Sequence, residues 1–193
     1  MIARDDVSAV ILAGGRATRL GGVDKRQLVI DGRTIFDRQV EALAPRVAEI
    51  LVSSRPGRDV AGYRTVHDSV ADLGPLGGIA AGLAAATTPW LLVIAGDMPG
   101  IDGPLIELLL AHGDAEADAV AIRIGDRAEP LCAAYRVAVW AAIVTGRIAT
   151  RQLRASALLT DEPVRVRWID EAAVRRLDPA LRALRNVNAP GDL

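Results

Sequence analysis

Aromatic side chains are scarce in this chain: one phenylalanine, two tyrosines and three tryptophans among 193 residues, 3% in all. Alanine and valine supply much of the 51% hydrophobic content, as in a tightly packed α/β protein of small and branched side chains. Cysteine is rarer still. Cys132 is alone, so no disulfide can form within the chain, in keeping with a reducing cytoplasm. It stands in the apolar run Leu131–Tyr135 and reads as a small buried hydrophobe rather than a reactive thiol. No apolar stretch reaches about 18 residues without a charge, which argues against a membrane-spanning helix. The opening Met-Ile-Ala-Arg-Asp-Asp lacks the basic and apolar regions of a secretion signal, so the expected location is the cytoplasm. An excess of one charge is missing too: 23 Lys and Arg against 24 Asp and Glu give a net charge of -1. There is no general drive toward nucleic acid or a membrane surface, and any anion binding must be local. The length suits one domain with a substantial core, spanning residues 1–193.

What is present is concentrated in one segment. Val10-Ile-Leu-Ala-Gly-Gly-Arg-Ala-Thr-Arg-Leu-Gly-Gly-Val-Asp-Lys25 runs an apolar strand into a loop with four glycines and the cations Arg16, Arg19 and Lys25, with Arg26 next. Glycine brings backbone N–H groups close to a ligand with no Cβ in the way. Arginine adds forked donors matched to phosphate oxygens, and lysine a compact point charge. Such a cluster in a protein of balanced charge points to a triphosphate cradle. Neither common phosphate fingerprint fits, because no lysine precedes Ser or Thr in the required pattern and Gly14 and Gly15 are adjacent.

Along the chain, hydrophobic patterning predicts strands at Val7–Ala13, Val47–Ser53, Tyr63–His67, Trp90–Ala95, Ala117–Ile124, Leu131–Tyr135 and Val164–Trp168, with a short extended piece at Leu28–Ile30. Helices are expected at Thr34–Leu43, Ile79–Ala86, Pro104–Ala111, Val137–Val144 and Glu171–Leu177, and Gly74–Gly78 reads as a glycine-rich turn. Strands alternating with helices imply an α/β fold with a mostly parallel central sheet and right-handed crossovers. Ligands of such sheets lie beyond the carboxyl ends of the strands, where the first loop, Asp68 and Asp97 all fall.

Asp97 ends a buried strand, between Gly96 and Met98-Pro99. A carboxylate there needs a partner, and magnesium bridging a nucleotide's phosphates is one. The competing role, capping the helix near Pro104, suits Asp102 better. Asp68 can accept hydrogen bonds from a nucleotide or shape an Asx turn.

The string L-A-G-G-x-x-x-R-L-G-G-x-D-K resembles the signature of the nucleotidyltransferases, and more closely that of the molybdenum cofactor guanylyltransferases. The resemblance takes in Asp68-Ser with Asp72, Gly74-Pro-Leu-Gly-Gly78, Gly96-Asp-Met-Pro99, Glu129-Pro-Leu131, Gly146-Arg147 and Asn186-Val-Asn-Ala-Pro-Gly-Asp-Leu193, and so covers nearly the whole chain. It implies a Rossmann-like three-layer sandwich that uses magnesium and GTP and transfers GMP to the phosphate of molybdopterin, releasing pyrophosphate. On that likeness the backbone of Leu12, Ala13, Gly14 and Gly15 holds the nucleotide, Arg19 and Lys25 neutralise its phosphates, Asp68 contacts it, and Asp97 binds both nucleotide and magnesium. Gly77, Gly78, Pro130, Arg147 and Asn188 face the pterin acceptor, although Asn188 reads equally well as a turn or helix cap. Ser53 stands where the family often has asparagine, Ala189 and Gly191 replace the usual Thr and Glu, and Arg26 replaces a small residue. The resemblance also allows transient docking to proteins that make molybdopterin or to molybdoenzymes that receive the product.

The reaction needs no general base, because a phosphate monoester with a second pKa of about 6 is largely dianionic at neutral pH. Only two histidines, His67 and His112, are present, and His112 reads as a surface or capping residue. The arginine-dense last third forms in part a basic wall for the acceptor and in larger part a solvated face. Two other readings stand beside the guanylyltransferase: a cytidylyltransferase acting on the same pterin or on a sugar or polyol phosphate, and a non-catalytic nucleotide-binding adaptor.

Overall fold

The computed structural model describes residues 1–13, 27–68 and 72–187. The first strand, β1 (Val7–Leu12), is apolar throughout apart from Ser8 and is buried along almost its whole length. Next come β2 (Val29–Ile30) and β3 (Arg33–Thr34), an antiparallel hairpin whose two-residue turn has positive φ at both Asp31 (50°) and Gly32 (78°). That combination twists in the same sense as the strands it joins. Helix α1 (Ile35–Leu43) begins where the Thr34 side chain accepts a hydrogen bond from the Asp37 N–H.

The remaining strands are β4 (Glu49–Ser54), β5 (Arg64–His67), β6 (Trp90–Ala95), β7 (Ala119–Ile124), β8 (Arg127–Arg136) and β9 (Val166–Ile169). Helices α2 (Pro75–Ala85), α3 (Gly103–Ala111), α4 (Val137–Ala149) and α5 (Glu171–Leu177) lie between or after them. Seven strands form one sheet in the order β5-β4-β1-β6-β8-β7-β9. Within it β8 pairs antiparallel with both β6 and β7, and every other pairing is parallel.

Two apolar layers sandwich the sheet. Phe36, Leu43, Leu105, Leu109 and Val174 of α1, α3 and α5 pack on Ile11, Leu92 and Ile94, while Leu76, Ile79, Leu83, Trp140 and Val144 of α2 and α4 pack on Val10, Leu91 and Val93. Alternate residues of β6 therefore enter opposite layers, which is why its sequence is apolar without alternation. The few aromatics serve these layers: Tyr135 and Trp140 meet edge-on at 4.9 Å, and their polar tips donate to the Pro130 and Asp118 carbonyls.

The predicted elements are all present, most within two residues of the expected bounds, and four differ by more. Helix α2 starts at Pro75, so the residues read as a turn up to Gly78 form its first turn; only Gly74, with φ 59°, lies outside. Proline is well suited to that first position because its missing N–H has no partner to lose there. Strand β8 starts at Arg127 rather than Leu131, because residues 129–132 stand opposite Ile122 alone in an irregularity that accommodates the donor-less Pro130. Helix α4 continues past Val144 to Ala149, and the short piece before α1 is a full hairpin.

At the amino end of the strands, the buried Ser8 hydroxyl donates to Glu49 at 2.8 Å, and Thr87 adds its N–H at 3.2 Å and its hydroxyl at 2.9 Å. Burial raises the Glu49 carboxyl's pKa, but these hydrogen bonds and the Arg64 charge outweigh it and hold the group below the usual carboxylate range.

Candidate active site

The carboxyl ends of β1, β4, β5 and β6 meet at one edge of the sheet, and hydrogen bonds stitch them together. The Ala13 N–H donates to the Ser53 carbonyl at 2.8 Å, and the Gly96 N–H donates to the Leu12 carbonyl at 3.0 Å. Leu12, Ala13, Ser53, Asp68 and Asp97 are thereby gathered, as their positions at strand ends predict. The first turn of α2 closes the group from above. A Cβ on Gly77 would lie 2.4 Å from Asp68 Oδ2, and one on Gly78 would lie 2.6 Å from Ser53 Oγ and 2.8 Å from Leu12 Cδ2. On the far side, a Cβ on Gly96 would sit 2.6 Å from the Leu12 carbonyl oxygen. Glycine at these positions lets α2 and β6 pack directly against the strand ends and their side chains.

Asp68 carries the electrostatic signature. Its Oδ1 is buried with no hydrogen-bond partner among the described residues. Burial pushes its carboxyl above the usual aspartate range, against the opposing influence of His67. A buried acceptor without a donor is unusual in a folded chain and makes Asp68 a candidate binding group.

Asp97 is half-buried in the four-residue turn that follows β6. The Met98 N–H donates to the Ala95 carbonyl at 3.3 Å, and the Val187 N–H donates to the Asp97 carbonyl at 2.8 Å. Gln39 of α1, fully buried, reaches the same turn: its Nε2 donates to the Ala95 carbonyl at 2.8 Å and to the Met98 carbonyl at 3.1 Å. Sequence reasoning missed Gln39. The available signal was a polar residue within the stripe formed by Ile35, Phe36, Ala42 and Leu43.

Pro130 stands two residues before Cys132, the partner of Ile94, and so lies at the same end of the sheet. Its neighbour Glu129 is pushed up in pKa by burial, opposed by Arg127 at 3.0 Å. Arg147 occupies the last turn of α4, where its guanidinium is buried and donates to Glu162 at 2.9 Å and to the Gln152 carbonyl at 3.3 Å. It braces the segment 152–162. Gly14, Gly15, Arg19, Lys25 and Asn188 lie outside the described residues.

Three expectations away from the site hold. Asp102 caps α3 by accepting from the Leu105 N–H at 3.0 Å, and His112 occupies the C-cap of that helix. Cys132 is buried, and burial together with the Glu129 charge pushes its thiol up to about 12, so it carries no thiolate chemistry.

A mostly parallel α/β sheet with glycine-lined strand ends around two carboxylates defines a nucleotidyltransferase-type scaffold. Residues 9–164 match the MobA-like NTP transferase domain, and the chain belongs to that family of nucleotidyltransferases. It is 32% identical over 206 residues to a probable molybdenum cofactor guanylyltransferase of Methanosarcina acetivorans, covering 96% of this chain and 88% of that protein. It is 42% identical over 129 residues to a molybdenum cofactor guanylyltransferase of Pseudomonas paraeruginosa, covering 64% of this chain and 65% of that one. Its fold is shared with the molybdopterin-guanine dinucleotide biosynthesis protein A of Archaeoglobus fulgidus, at a TM-score of 0.80 and 23% identity over 96% of this chain and 94% of that chain. The 2-C-methyl-D-erythritol 4-phosphate cytidylyltransferase of Thermus thermophilus has the same fold at a TM-score of 0.68 and 17% identity, over 95% and 93% of the two chains.

Proposed function

We propose that this protein transfers GMP from magnesium-bound GTP to the terminal phosphate of molybdopterin, giving the guanine dinucleotide cofactor and pyrophosphate. The observation that carries this reading is the convergence of four strand ends, packed closely against α2 through Gly77 and Gly78 and against each other through Gly96, beside the Oδ1 of Asp68, which has no partner among the described residues. Full-length relatives named for this activity support the choice of substrates.

The carboxylates offer hard oxygen donors, which suit magnesium, an ion that takes one or two carboxylates along with phosphate oxygens and water. Asp97 would hold it, and the ion would supply charge neutralisation for the triphosphate and the departing pyrophosphate. The backbone of Leu12, Ala13, Gly14 and Gly15, with Ser53, cradles the nucleoside. Asp68 accepts hydrogen bonds from it, and Arg19 and Lys25 neutralise the phosphates. Gly77, Gly78, Pro130 and Asn188 bound the acceptor side, where Arg147, its guanidinium spent on Glu162, contributes by bracing the segment 152–162 rather than by touching the acceptor. The incoming phosphate is already anionic, so the residues work by alignment and by offsetting repulsion between two polyanions rather than by taking a proton. The protein acts in the cytoplasm as a single catalytic domain, with no nucleic acid or membrane partner, and docks transiently to proteins that supply or receive the cofactor.

The test is incubation with magnesium, GTP and molybdopterin, with CTP as a parallel arm. Mass spectrometry should find the guanine dinucleotide and equimolar pyrophosphate only with GTP. Product in the CTP arm alone would overturn the choice of base, and nucleotide binding without product in either arm would favour an adaptor.

A further inference from the structure

We infer that Gln39 is a positioning residue for the carboxylate of Asp97, an inference that rests on the reading of Asp97 as the metal-holding group. The turn from Ala95 to Met98 carries Asp97, and both of its ends are tied to one side chain. Gln39 Nε2 spans from the Ala95 carbonyl at 2.8 Å to the Met98 carbonyl at 3.1 Å, using both amide hydrogens. The Ala95 carbonyl also accepts from the Met98 N–H, so the glutamine locks the closing hydrogen bond of the turn from outside. Two further anchors hold the interior: Gly96 bonds back to β1, and Asp97 accepts from Val187 through its carbonyl. The backbone that carries Asp97 is thus fixed relative to β1, α1 and the segment ending at Val187.

The choice of glutamine is unfavourable by packing criteria alone. Gln39 is 0% exposed, and its Oε1 is buried without a partner among the described residues. Methionine has nearly the same length and flexibility and would fill the site with no orphaned acceptor. What methionine cannot do is donate to two carbonyls. The residue therefore serves the geometry of the turn, and the group that this geometry presents to the site is Asp97. Rigid support of this kind matters because a misplacement of about 1 Å at a reacting centre lowers rates by roughly a hundredfold.

The test compares wild type, Gln39→Met and Asp97→Asn as folded full-length proteins. Manganese affinity is followed by electron paramagnetic resonance in the presence of GTP, nucleotide binding is measured in chelator without metal, and kcat and KM are determined for GTP. In Gln39→Met we expect manganese affinity to fall about tenfold and kcat by about tenfold to a hundredfold, with metal-free nucleotide binding within twofold of wild type. Exchange of the Met98 amide hydrogen should speed up in the same variant. A purely structural role would change the folded fraction but leave manganese affinity per folded molecule at the wild-type value, and that result overturns the inference. Should Gln39→Met fail to fold, Gln39→Leu carries the same test, because leucine is of similar volume and cannot donate to either carbonyl. If Asp97→Asn itself binds manganese as wild type does, the reading of Asp97 falls first and the role of Gln39 with it. If Asp97→Asn loses the ion while Gln39→Met keeps it, only the inference about Gln39 is wrong.

Discussion

Removing the carboxylate of Asp68 should make the protein more stable and less able to bind nucleotide. Its Oδ1 is buried without a donor among the described residues, and a buried acceptor left unmade costs about 1–3 kcal/mol. Asp68→Ala deletes that acceptor and leaves a methyl group beside Gly77, where the present carboxylate oxygen lies 2.4 Å from the place a Cβ would take. For a domain of this size 1 kcal/mol corresponds to roughly 2–4 °C, so the midpoint of thermal unfolding should rise by about 2–12 °C. The sign with pH follows from the raised pKa: the ionised form is the one the fold disfavours, so the penalty is present above the folded-state pKa and fades as pH falls through it toward the ordinary aspartate value of about 3.9. Calorimetry of wild type and variant at pH 7 and pH 4 should therefore show a gain that shrinks on acidification. Titration with GTP should show weaker binding by the variant. A variant less stable than wild type at pH 7, or one that binds GTP unchanged, would refute the argument that this carboxylate is held in reserve for a ligand.

Other perturbations test the rest of the structure. Asp97→Asn should abolish pyrophosphate release in a continuous phosphate-coupled assay while its circular dichroism stays that of wild type; unaltered turnover would remove Asp97 from the reaction. Gly96→Ala forces a methyl group to 2.6 Å from the Leu12 carbonyl oxygen, a backbone atom that cannot swing aside, and should cost about 1–3 kcal/mol in urea unfolding. Glu49→Gln should lower stability at pH 7. Because the folded-state pKa of Glu49 is depressed, its contribution is present above the unfolded value of about 4.3 and lost as pH falls through the folded value, so the gap between the two proteins should narrow on acidification below that range. Magnesium with GTP at a hundred times its Kd should add about 2.7 kcal/mol to unfolding stability, and magnesium with CTP much less.

How far the sequence could be read depended on whether a residue's role was set by its own neighbours. β6 has the predicted bounds, Trp90–Ala95, because a strand buried on both faces is continuously apolar and ends at glycine. Asp97 was legible for the same reason, as a carboxylate at the end of such a strand, and Asp68 as the residue that follows the shorter, partly exposed β5. The start of α2 was not, since Gly77 and Gly78 look like a turn until Asp68 and Ser53, delivered by other strands, occupy the space their side chains would need. The start of β8 was hidden by Arg127, Glu129 and Pro130, which lower strand propensity locally: Arg127 pairs with Ile124, while Glu129 and Pro130 sit where the pairing with β7 is broken. Gln39 was hidden most deeply. Nothing within α1 distinguishes a glutamine facing water from one facing the carbonyls of a distant turn, and Arg147 likewise reveals its commitment to Glu162 only in three dimensions.

The clasp between Val187 and the turn of Asp97, reinforced where Gly100 passes so close to the Arg182 carbonyl that a Cβ would lie 2.4 Å from it, has a consequence for how this protein matures. Contacts between residues so far apart in sequence close late, after the local elements have formed. On the ribosome, β1 through β6 can assemble well before residue 187 emerges, yet the turn that carries Asp97 gains its final anchor only when that residue arrives. A half-synthesised chain thus carries the scaffold with that turn still unclasped.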